Sequence, residues 1–147
     1  MINDLWEIRA FVYDHFKETS RPPLVEDTAA RFGLSNEEAA SAYEELHQRH
    51  TFFLDPGTHN ILMANPFSAS ETPFKVYAHN KTYFANCAWD SLGIPAALHS
   101  NAEIETTCSQ SGHLIQLSIK DGKVSSSDVL VHFLVPFHEW YKDLFFT

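Results

Sequence analysis

Two residues three positions apart, Cys87 and Asp90, have the types and spacing for thiol–acid chemistry. They lie in the stretch Tyr83-Phe84-Ala85-Asn86-Cys87-Ala88-Trp89-Asp90-Ser91-Leu92-Gly93-Ile94-Pro95. With Asn86 as the N-cap of a helix, Cys87 falls in the first turn and Asp90 follows on the same face. Free backbone N–H groups and the positive end of the helix dipole there favour thiolate over thiol. A carboxylic acid beside a thiolate can shuttle a proton, and burial raises the pKa at which it holds one. The same spacing has a structural reading, which spacing alone favours. Free cysteines are often buried, and an Asp in a first turn commonly answers the helix dipole.

The elements that must position this pair divide into two parts. Asp4 to Lys17 carries Leu5, Ile8, Phe11, Val12, His15 and Phe16 at helical spacing. A second helix runs from Leu24 to Phe32, closed by Gly33, and Ser35-Asn36-Glu37-Glu38 is a capping box opening a third through Arg49. Thr51 to Leu54 and Ile61 to Ala64, around Asp55-Pro56-Gly57, predict a hairpin. Three helices and a two-stranded wing form a winged-helix-like pattern over residues 1–65. Its third helix carries Glu37, Glu38, Glu44 and Glu45 against Arg49, a face that would repel phosphate. The Pro/Ser-rich stretch from Asn65 to Pro73 is the expected boundary. Residues 66–147 then read as a small mixed β-sheet with a packed helix, making the fold class α+β. Its strands are Phe74 to Ala78, Thr82 to Ala85, Ala102 to Cys108, His113 to Ile119 and Val129 to Val135. A kink or break is expected where Pro95 follows Gly93, and Phe137 to Phe146 reads as a last aromatic helix or half-helix.

Composition narrows the function. The 147 residues are 44% hydrophobic, enough for one good core or two small modules. A formal net charge of −9 argues against a nucleic-acid partner. No apolar run reaches the roughly 18 residues that span a bilayer. The N-terminus has no signal-peptide pattern, and two cysteines suit a reducing cytoplasm. Composition leaves a Cys87–Cys108 disulfide open. His99, His113, His132 and His138 could join Cys87 or Cys108 around zinc or copper, but Cys108 and His113, at an x₄ interval, make a half-site common by chance, and solvated or core histidines are the better reading. Trp89, Trp140, Tyr141, Phe145 and Phe146 are expected to fill the core or the groove over the central helix.

At this point the motifs become specific. Pro66-Phe67-Ser68-Ala69 with Thr72-Pro73, then Asn86-Cys87-Ala88-Trp89-Asp90-Ser91-Leu92-Gly93-Ile94-Pro95-Ala96, resembles the organomercurial (alkylmercury) lyase family. Glu103 through Gly112 and Val131-His132-Phe133-Leu134-Val135-Pro136 resemble it as well, in the right order. The resemblance implies a winged-helix-like part ahead of a small mixed sheet, and protonolysis of a carbon–mercury bond. It makes Cys87 the first mercury ligand and Asp90 the acid that handles the proton. Thiolate is the ligand of choice for so soft a metal. By the spacing after Pro136, the family's second catalytic cysteine falls at or just past Thr147, and no cysteine stands there. Cys108 resembles a structural cysteine of the family, and joins the metal ligands only if its strand brings it to the helix. No cofactor is expected, since mercury enters as substrate and leaves as product. The expected partners are an organomercurial or soft metal and a thiol reductant. Two rival readings are a metal- or thiol-sensing binding module and a winged-helix transcriptional regulator.

Overall fold

The computed structural model describes residues 5–126 and 128–143. Helix α1 (Leu5–Thr19) buries Ile8, Val12 and Phe16, the i, i+4, i+8 stripe expected of an amphipathic helix. Helix α2 (Val25–Phe32) starts where Asp27 Oδ2 accepts the Leu24 N–H at 2.9 Å, and ends at Gly33 with φ 66°. Helix α3 (Asn36–Gln48) has the predicted box: Ser35 Oγ accepts the Glu38 N–H at 3.1 Å, and Glu38 Oε2 accepts the Ser35 N–H at 2.8 Å. Ala39, Ala42, Tyr43 and Leu46 face inward. The hydroxyls of Thr28 and Tyr43, 2.6 Å apart and fully buried, tie α2 to α3.

The strands are β1 (Phe53–Leu54), β2 (Ile61–Ala64), β3 (Phe67–Ser68), β4 (Lys75–Ala78), β5 (Lys81–Ala85), β6 (Ala102–Thr107), β7 (Leu114–Lys120) and β8 (Lys123–Val124). They form one sheet in the order β1-β2-β3-β5-β4-β6-β7-β8. The class is α+β. Every pairing is antiparallel, where a mixed sheet was expected. Two-residue turns with positive φ at both positions, His79-Asn80 and Asp121-Gly122, join β4 to β5 and β7 to β8.

The stretch read as a connector contains β3, which pairs with β2 on one side and β5 on the other. Pro and Ser signalled a linker, but Phe67 is an anchor, 3% exposed and stacked on Phe16 at 5.2 Å. The sheet and one buried cluster, from Ile8 to Ile119, therefore run continuously through position 65.

One expectation near the C-terminus is corrected and another narrowed. Val129 to Val135 is not a strand: β8 takes the open side of β7, the chain leaves the sheet, and Leu130 is 94% exposed. An alternating apolar pattern reports side-chain character, not an available strand edge. The helix or half-helix expected from Phe137 to Phe146 is a 3-10 helix over Phe137–Lys142, and residues 144–147 lie outside the described residues.

Candidate active site at the start of the central helix

Helix α4 (Ala88–Leu98) follows β5 directly. It continues through Pro95 instead of breaking at Gly93, and Gly93 is where it lies closest to Pro66: an added Cβ would sit 3.1 Å from the proline Cβ. Its N-cap is Cys87, not Asn86, with extended backbone at φ −151°. The shift by one residue has a cause. The Asn86 amide is spent elsewhere, its Nδ2 donating to Asn65 Oδ1 at 2.9 Å, to the Phe67 carbonyl at 3.2 Å and to Asp90 Oδ2 at 3.2 Å.

Cys87 and Asp90 are thus brought together at the helix start, both half-buried. No cap hydrogen bond closes on the Cys87 sulfur, yet the N–H groups of Asp90 and Trp89 favour its thiolate. Burial outweighs them, and the neighbouring Asp90 carboxylate adds to it, so the Cys87 pKa is pushed up. This reverses the sign expected from the helix end alone. Burial likewise pushes the Asp90 pKa up, against the opposing pull of the Asn86 amide and the Cys87 thiol. Their mutual contact contributes a rise at Cys87 and a smaller, opposing fall at Asp90, and burial leaves both pKa values raised.

Helix α1 reaches this site through Tyr13. Its hydroxyl donates to the Asn65 carbonyl at 3.1 Å and approaches the Thr51 carbonyl at 3.4 Å. The Arg9 guanidinium lies 4.7 Å from its ring centroid. Burial raises the Tyr13 pKa against the lowering charge of Arg9, and the charge of Asp90 adds a smaller rise. Tyr13 and Asn65 went unnoticed in the sequence, since nothing in the spacing of residues 13, 65 and 86 signals contact.

Cys108 follows β6, two strands from β5 in the sheet. Donors at Ser111 and Gln110 in its own turn push its pKa down. Both cysteines are free, so no disulfide joins them. Among the described residues no three His, Cys, Asp or Glu side chains gather to hold a metal ion, so Cys108 is not assembled with Cys87 and Asp90. His99, His113, His132 and His138 are all exposed.

Of the two places expected for the aromatics, the core and the groove over the central helix, the core does not receive them: Trp89, Trp140 and Tyr141 form a chain along the surface that begins on α4. Trp89, 58% exposed, lies 6.2 Å from Phe133, which stacks on Trp140 at 5.1 Å. Phe137 bridges Trp140 to Tyr141, and Tyr141 stacks on His50 at 4.3 Å. Phe145 and Phe146 lie outside the described residues.

A large open cleft, about 1130 Å³, is remote from this chemistry. It runs along α2, α3 and the β1–β2 turn, carries Glu26, Glu37, Glu44 and Glu45, and contains no cysteine. Among the described residues no helix is long and apolar enough to cross a membrane.

Comparison with known proteins identifies the family and the fold. The family model described as alkylmercury lyase (MerB) matches residues 67–144, just over half of the chain. No curated protein matches the sequence. Among solved structures, the crystal structure of the mercury-bound form of MerB2 is similar in fold, with a TM-score of 0.68 at 19% identity. The match covers 84% of this chain and 59% of that one, so this chain spans about three fifths of the length of that protein.

Proposed function

Because the chain belongs to the alkylmercury lyase family, we propose that it takes up an organomercurial through Cys87 and cleaves the carbon–mercury bond by protonolysis, with Asp90 handling the proton. The observation that carries this reading is the pairing of a half-buried thiol at the start of α4 with an acid one turn on.

In the first step the Cys87 thiol meets R–Hg–X. A sulfur–mercury bond forms, X⁻ leaves, and the thiol proton passes to the Asp90 carboxylate. Coordination by mercury makes that transfer downhill, since a metal-bound thiol is deprotonated outright. In the second step another thiolate, supplied by a low-molecular-weight thiol, adds to mercury and raises electron density on the metal. The carbon–mercury bond then breaks toward carbon, which takes the proton back from Asp90 and leaves as R–H. Mercury remains as the neutral bis-thiolate, and Asp90 is again a carboxylate. The charge is −1 before and after the second step.

The burial that raises the Asp90 pKa suits an acid that must hold a proton briefly. The burial that raises the Cys87 pKa keeps the thiol proton in place until a metal displaces it. A binding module that retains mercury without cleavage is the second reading, supported by the single thiol beside Asp90 among the described residues. The acidic cleft along α3 weighs against the transcriptional-regulator reading, because phosphate contacts need a positive face.

The test mixes reduced protein with phenylmercuric acetate and excess thiol, and follows benzene release beside a Cys87→Ser control. Benzene from the parent chain and none from the variant is expected. Mercury bound one to one through Cys87 without benzene would replace the lyase by the binding module. Neither binding nor release would make Cys87 a core residue.

A further inference from the structure

Asn86 is better connected than an ordinary residue ahead of a helix. One side-chain NH₂ group, with two hydrogens, faces three acceptors: Asn65 Oδ1, the Phe67 carbonyl and Asp90 Oδ2. All three are acceptors, so the orientation of the amide is determined. Asn65 is itself held, because its carbonyl accepts the Tyr13 hydroxyl at 3.1 Å. The line from α1 to the acid is therefore Tyr13, Asn65, Asn86, Asp90, with each link a hydrogen bond. The titratable and charged groups facing Asp90 are Cys87 on its own helix and, from α1, Tyr13 with Arg9 behind its ring.

We propose that Asn86 is the positioning residue of the site: clamped by Asn65, and through Asn65 by Tyr13, its amide engages Asp90 Oδ2 and leaves Oδ1 to exchange the proton with Cys87. This deepens the lyase reading and rests on it for the role of the proton, though not for the geometry. The amide favours the ionised form of Asp90, the form that must accept the thiol proton. Without it the acid holds its proton to higher pH and is free to turn away from the sulfur.

Two readouts separate the inference from the function. The first is the ¹³C carboxyl shift of Asp90, titrated by NMR in the parent chain, in Asn86→Ala and in Tyr13→Phe. It needs no turnover. The Asp90 midpoint is expected to rise by about one pH unit in Asn86→Ala, the loss of one hydrogen bond to a charged group. In Tyr13→Phe it is expected to rise by a smaller amount. The second is benzene release, where Asn86→Ala should lower kcat about tenfold with KM little changed, and should move the acid limb of the profile upward with the NMR midpoint. An Asp90 midpoint unchanged in folded Asn86→Ala overturns the inference. If that variant does not fold, an unchanged midpoint in Tyr13→Phe overturns it. A shifted midpoint with no benzene from the parent chain would keep the positioning role and discard the lyase.

Discussion

The contact between Tyr43 and Thr28 allows a stability prediction with a definite sign and size. Both side chains are fully buried, and their hydroxyls are 2.6 Å apart. Burial pushes the Tyr43 pKa from 10.0 up to about 12, against a smaller lowering by Thr28. Below pH 10 the phenol is neutral in folded and unfolded chains alike and adds no pH dependence. Between pH 10 and 12 the unfolded chain ionises while the folded one does not, so stability falls as pH rises. The loss amounts to about 2.7 kcal/mol, at about 1.36 kcal/mol per pH unit, and levels off once both states are ionised. Tyr13 and Tyr83 also have raised pKa values, so the measured quantity is the difference between the parent chain and Tyr43→Phe. At pH 7 that variant orphans the Thr28 hydroxyl and should cost about 1–3 kcal/mol. Thr28→Val leaves the Tyr43 hydroxyl within 3.4 Å of the Pro23 carbonyl and should cost less. Urea melts of both single variants and the double should show a coupling above about 0.5 kcal/mol. Additive single variants, or a Tyr43→Phe chain with the parent's stability loss above pH 10, would refute the reasoning.

The remaining expectations concern the site and its supports. Asp90→Asn should lower benzene release by about a hundredfold or more, the usual yield of a positioned acid. The same change removes a charge that raises the Cys87 pKa, so iodoacetamide should alkylate Cys87 faster at pH 7, read at the Cys87 peptide by mass spectrometry. Equal loss of both rates would mean that the variant collapsed the site. Tyr83, 1% exposed, donates its hydroxyl to the Lys17 carbonyl at 2.7 Å, in the last turn of α1. Tyr83→Phe should cost about 1–2 kcal/mol in a urea melt with an unchanged slope, and a cost near zero would show that water replaces the phenol there. Gly93→Ala should forfeit the gain of about 1 kcal/mol that alanine brings to a helix, because its Cβ meets the Pro66 ring at 3.1 Å. A melt showing the full gain would mean that Pro66 yields freely.

Much of the local structure was legible because it depends on near neighbours in the chain. The stripe Ile8, Val12, Phe16 and the box Ser35–Glu38 each satisfy themselves within a few residues. The Cys87–Asp90 spacing belongs to the same class, and with the flanking motifs it was enough to reach the family. Val129 to Val135 and Phe67 failed for one shared reason. Whether a short apolar segment pairs depends on a free strand edge elsewhere, and composition holds no record of edges.

What only the tertiary structure decided is who stands around Cys87 and with what electrostatic sign. A helix start taken alone predicts a thiolate, since its N–H groups and dipole are local. Burial by the surrounding fold is not local, and it outweighs them in the direction of the thiol. Asn65 and Tyr13 join the site from 21 and 73 residues before Asn86 because β3 inserts between β2 and β5 and α1 packs across it. The sequence by itself determined the spacing of Cys87 and Asp90, and the folded sheet determined that the Asn86 amide meets Asn65, Phe67 and Asp90 at once.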